Sequence, residues 1–243
     1  MRNKVLLALL GLGLSAHAPS CQERIEPVYS IWDVTLGQPV AQVPDADVGE
    51  IACGTAGGPP GQILASFSEF QTCPPEQSGL REIAFSYDDE QDYIALAREV
   101  QYKFLQGGTS VFAHPVIASL LVDPAGVVQG RRIVTDNRIS DHDRRSAVTL
   151  MRNFKARYGK WALSCADVPM KEGEQPVGNQ FIHELCTGQS PDGHTLIAIE
   201  ASYLRKKGQR AVSQETQEVN AGYFESQTRY EEVLTPYAPM TAP

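Results

Sequence analysis

The sequence predicts an α+β protein, antiparallel β-sheet packed with two amphipathic helices at about 89–105 and 143–158. Three observations carry that expectation. Residues 116–122 and 127–135 are apolar runs on either side of Asp123-Pro124-Ala125-Gly126, a turn sequence that joins neighbouring strands antiparallel. The two helical stretches repeat apolar residues at helical spacing: Tyr93, Leu96, Ala97, Val100 and Phe104 in one, Ala147, Leu150, Met151, Phe154 and Tyr158 in the other. Beyond Gly159, alternating segments separated by turn signals read as four strands.

Taken in order, the chain opens with Arg2 and Lys4, then the apolar run VLLALLGLGL, then small and polar residues. That layout predicts a signal peptide over 1–18, and the run is too short to span a bilayer, which takes about 20 apolar residues. Ala16-His17-Ala18 fits the exit rule, which places the product in the periplasm or outside the cell; Cys21 offers a second exit with lipid on the cysteine. Residues 19–138 then form a first α+β half, 139–235 a second half of helix and strands, and 236–243 a frayed tail.

Within the first half, 31–37 (IWDVTLG) alternates and reads as a strand, and 62–70 (QILASFSEF) as a short helix. In 80–87, Ile83, Phe85 and Tyr87 make one apolar strand face, while Glu82, Ala84 and Ser86 fall on the other. Asp88, Asp89, Glu90 and Asp92 cap the first helix, and Gly107-Gly108 stops it. In the second half, 161–167, 179–187, 194–204 and 222–233 read as strands, with 205–220 a polar loop or hairpin tip. Each half holds a cysteine pair, followed by a glycine and an alternating strand at Gly79 and Gly193, so the halves read as two similar subdomains.

The cysteines are 21, 53, 73, 165 and 186. Export makes pairing the default. Four cysteines allow three connectivities; the near-equal spacings favour Cys53–Cys73 and Cys165–Cys186, leaving Cys21 beside the processing site. No C-x-x-C occurs and no histidine stands at finger spacing, so neither a metal nor another cofactor is expected. The glycine-rich run 51–62 (IACGTAGGPPGQ) lacks the Lys-Ser/Thr of a phosphate loop, and Pro59-Pro60 removes two donors; it reads as a disulfide-anchored turn.

The net charge is −8, or −10 without Arg2 and Lys4, so the net field attracts neither nucleic acid nor anionic lipid. Against that background 131–160 carries nine Lys or Arg and three Asp, a balance of +6. Arg144, Arg145, Arg152, Lys155 and Arg157 lie on the polar face of the second helix and are the candidates for contact with an acidic envelope protein. No catalytic residue is expected: neither G-x-S-x-G nor H-E-x-x-H is present. His142 (SDHDRR) reads as part of a helix start, His183 as a buried strand residue between Phe181 and Leu185, His194 as a turn residue and His114 as a strand entry. The functional expectation is a non-catalytic binding or assembly role in the cell envelope. Its rivals are a hydrolase using histidine and carboxylates, and a small-molecule carrier. The hairpin VIASLLVDPAGVVQGRRIV resembles the strand–turn–strand end of small outer-membrane assembly lipoproteins, a likeness that carries over no functional residue.

Overall fold

The computed structural model describes residues 29–87, 109–112, 114–138, 141–212, 219–220 and 222–240. The predicted signal peptide, Cys21, the helix at 89–105 and residues 241–243 lie outside them. In chain order the strands are β1 (Ile51–Cys53), β2 (Ile63–Leu64), β3 (Arg81–Phe85), β4 (Ser110–Val111), β5 (His114–Val122), β6 (Val128–Thr135), β7 (Ser164–Asp167), β8 (Glu174–Gln175), β9 (Ile182–Gln189), β10 (Thr195–Lys206), β11 (Ala211–Val212), β12 (Val219–Asn220) and β13 (Glu225–Leu234). The main sheet runs β2-β1-β3-β5-β6-β13-β10-β9-β7, with β4 against β5 and β8 against β10; β11 and β12 pair separately. Every pairing is antiparallel. The hairpin of β5 and β6 turns where Asp123 accepts from the Ala125 and Val127 amides, the Asx chemistry that its sequence specifies. The first and second halves share this one sheet, because β6 pairs with β13 over Arg229↔Val134 to Val233↔Gly130.

The helix expected at 143–158 is a single bent one. Its limbs are α1 (Asp141–Ala147) and α2 (Leu150–Arg157). The bend has a local cause: two β13 side chains take over backbone groups at the joint. Thr228 Oγ1 donates to the Ala147 carbonyl at 2.8 Å, and the Val148 amide donates to Ser226 Oγ at 3.3 Å. α2 buries Leu150, Met151 and Phe154 against one sheet face, on Ile133, Ile197 and Tyr230. Phe154 and Tyr158 stack on the Tyr230 ring, with centroids 4.5 and 5.4 Å away.

Two sequence expectations change. Residues 31–37 form turns, because Asp33 Oδ2 accepts from both the amide and the hydroxyl of Ser30; Ile31 and Val34, three apart, point into the core instead of alternating. Residues 62–70 divide between β2 and a 3₁₀ helix, Phe67–Thr72, which buries Phe67 and Phe70. At the other end, residues 235–240 fold back on the sheet. The Met240 amide donates to Glu231 Oε1 at 2.9 Å.

The aromatic stack ends in a polar relay. The Tyr158 and Tyr230 hydroxyls are hydrogen-bonded, Tyr230 donates to Glu232 Oε2 at 2.8 Å, and Glu232 pairs with Arg131 at 3.0 Å. Burial, then the Glu232 charge, raises both phenols above their ordinary value of 10.0. A raised acid favours the folded state fully below the unfolded value and loses that contribution as pH rises through the folded one. Alkaline unfolding is therefore expected to begin above about pH 10, and Tyr230→Phe should flatten it. Denaturant midpoints across that range check this; an unchanged slope in the variant contradicts it.

Candidate functional site

The opposite sheet face carries charge where an alternating strand normally meets solvent. Arg132 lies across β6/β13 from Glu231, and both are buried, at 0 % and 2 % exposure. The Arg132 guanidinium meets Glu231 at 2.8 Å, Glu82 at 2.9 Å and both oxygens of Glu76, at 2.6 and 3.1 Å. Arg229 bonds Glu231 at 3.1 Å and donates to the Ala56 carbonyl at 2.7 Å. Burial alone would lower the Arg132 guanidinium; its three carboxylates outweigh that and hold it above its ordinary value. Arg229 moves the other way, lowered by burial and then by Arg132.

The glycine-rich run closes this cluster. The Ala56 amide donates to Glu82 Oε2 at 2.6 Å and the Gly57 amide to Glu82 Oε1 at 3.1 Å. Ala56 and Gly57 both hold positive φ, 59° and 81°, which turns successive amides toward one point, as in an anion nest. The anion in this nest is the protein's own carboxylate. Cys53–Cys73 fixes both ends of the arrangement: Cys53 ends β1 just before the loop, and Cys73 stands three residues before Glu76. The run is thus the disulfide-anchored turn the sequence suggested, with its donors turned inward.

The five basic candidates separate into two groups. Arg144 is buried and stacks over Tyr223 at 4.5 Å. Lys155 is ion-paired with Glu184 of β9. Arg144 is withdrawn by its burial and Lys155 by its ion pair. Arg145, Arg152 and Arg157 are exposed, and Arg157 lies 4.0 Å over the Trp32 ring.

Among the histidines, His114 Nε2 bonds Thr149 Oγ1 at 3.0 Å, and His194 sits in an exposed turn. His142 falls in the first turn of α1, and its side chain lies outside the described residues. His183 is buried on β9, as its alternation implied, and its Nε2 meets Glu200 of β10 at 2.8 Å. Its Nδ1 is buried and finds no hydrogen-bond partner among the described residues, and Ser202 stands directly across the strand pair. Glu200 has no local signature, because β10 reads there as a plain alternation. A small cleft of about 40 Å³ lies elsewhere, lined by Glu50, Ala52, Ala84, Thr109, Ile117 and Arg138.

The cysteine expectation holds: Cys53 bonds Cys73 and Cys165 bonds Cys186. Ligand atoms of Cys165, Glu184 and Cys186 lie within 4.8 Å of one another, but both sulfurs belong to the bridge and offer no thiolate to a metal. No helix among the described residues is long and apolar enough to cross a membrane. The disulfides are consistent with an extracellular or periplasmic protein. Among the described residues the fold is mostly antiparallel sheet with one bent helix, stapled by two disulfides. No family model, curated protein or solved structure matches it.

Proposed function

We propose that this chain is exported by its N-terminal signal and serves in the cell envelope as a binding or assembly protein, without chemistry of its own. Its contact is the outer side of the bent helix and its partner a protein with an acidic surface. The observation that carries this reading is the division among the basic residues. Arg145, Arg152 and Arg157 remain exposed on one helical segment after Arg144 and Lys155 are used internally. Three exposed cations in an acidic protein, Arg157 among them although it also covers Trp32, favour encounter with an acidic patch and make it salt-sensitive.

Reversing all three to glutamate, with Arg144 and Lys155 kept, is expected to weaken crosslinked capture of the partner about tenfold and to flatten its salt dependence. Capture by the variant equal to wild type at low and high salt would reject this surface. The rival hydrolase reading has one observation in its favour, the His183–Glu200 pair with its unsatisfied Nδ1. Turnover of an ester panel that His183→Ala abolishes would move the assignment there.

A further inference from the structure

The two disulfides stand in opposite surroundings. Cys53 and Cys73 are 4 % and 1 % exposed, inside the main core. Cys165 lies on β7, the outermost strand, where all four residues are exposed; Cys186, on β9, is fully buried. Among the described residues β7 has one neighbour in the sheet. The register sets Cys165 directly opposite Cys186. The Val168 amide donates to the His183 carbonyl at 2.7 Å, so by alternation the cysteines occupy a non-hydrogen-bonded pair, where no ladder bonds back up the covalent link. A charge pair adjoins the sulfurs: Glu184 Oε1 lies 3.8 Å from Cys186 Sγ, and Lys155 reaches Glu184 from α2.

We propose that Cys165–Cys186 is a thiol-exchange site, a modification point for an external dithiol. The attacking thiolate approaches Cys165 Sγ, since Cys186 is shielded. A new sulfur–sulfur bond forms to Cys165, the Cys165–Cys186 bond breaks, and its electron pair leaves on Cys186 Sγ. That thiolate is released beside the Lys155–Glu184 pair; as β7 lifts away water reaches and protonates it, and its S–H then donates to Glu184. The second thiolate of the reagent attacks the reagent sulfur of the mixed disulfide and displaces Cys165 as a thiolate, which is protonated in turn. The reagent departs as a cyclic disulfide, so two electrons and two protons have passed to the protein. β7 is then held by its few backbone bonds alone, and the edge of β9 opens. This inference is independent of the binding surface proposed above.

The test uses the native protein in graded dithiothreitol without denaturant, with rapid alkylation and peptide mapping by mass. Cys165 and Cys186 are expected to acquire label at least about tenfold faster than Cys53 and Cys73. Equal rates, or earlier opening of Cys53–Cys73, would overturn the proposal. Exposure to glutathione, a monothiol, should leave its adduct on Cys165; an adduct on Cys186 would overturn the assigned direction of attack.

Discussion

Replacing Arg132 with methionine is expected to destabilise the fold by about 3–5 kcal/mol. The side chain is fully buried and touches three carboxylates, Glu76, Glu82 and Glu231. Methionine fills similar volume but leaves those acids facing one another away from water. Arg229 compensates only at Glu231. The loss is therefore of a charge partner, which costs more than the net worth of the pair. Arg132→Lys should fall between wild type and methionine, because lysine keeps the charge but cannot present a planar fork to Glu76 while also reaching Glu231. Urea midpoints of the three proteins check the order. A methionine variant as stable as wild type would show that the cluster contributes nothing to stability.

Gly57→Ala is expected to cost about 2–4 kcal/mol, in two separable parts. The φ of 81° strains any residue with a Cβ. That Cβ would also lie 2.4 Å from Val134 Cγ2 and 3.1 Å from the Arg229 guanidinium. The clash lifts the loop from Glu82 and withdraws its two amide donors. In a Val134→Ala background the clash with Cγ2 vanishes, and about 1–2 kcal/mol should remain from backbone strain and the tighter contacts with Arg229 and Cβ of residue 134. Equal costs of Gly57→Ala in the two backgrounds would show that strain, not contact, sets the effect.

These predictions concern residues that the sequence hid. The hairpin of β5 and β6, the strands of the second half and the disulfide partners were legible because each depends on local chemistry: a turn tetrapeptide, a two-residue period, a spacing. Ile83, Phe85 and Tyr87 likewise declared one buried face of β3. Glu82 sits on its other face, where alternation alone implies solvent, yet it is 2 % exposed. What buries it comes from afar: Arg132 is fifty residues on, and the loop donors are 25 and 26 residues back. Pairing of that range leaves no periodic trace. The same limit explains Glu200, which meets His183 only once β9 and β10 align. It explains the basic helix too: its five cations look alike in sequence, and only the folded chain sets Lys155 on Glu184, Arg144 over Tyr223 and Arg157 over Trp32. Residues 31–37 failed for the opposite reason, since the Ser30–Asp33 turn is local but competes with an apolar alternation that looked stronger.

The position of β13 carries a consequence for how the chain is made. It lies in the interior of the sheet, between β6 and β10, yet it comes after both of them, and after every other described strand, in the sequence. Until residues 225–234 emerge, β6 and β10 are both raw edges and Arg132 has no Glu231 to meet. The nascent chain thus has no route to its native sheet before residues 225–234 are made, and closure must bridge about a hundred residues of intervening sequence. Until then the sheet stays open at its middle, and it locks in one step that inserts the keystone strand and brings Met240 down onto Glu231.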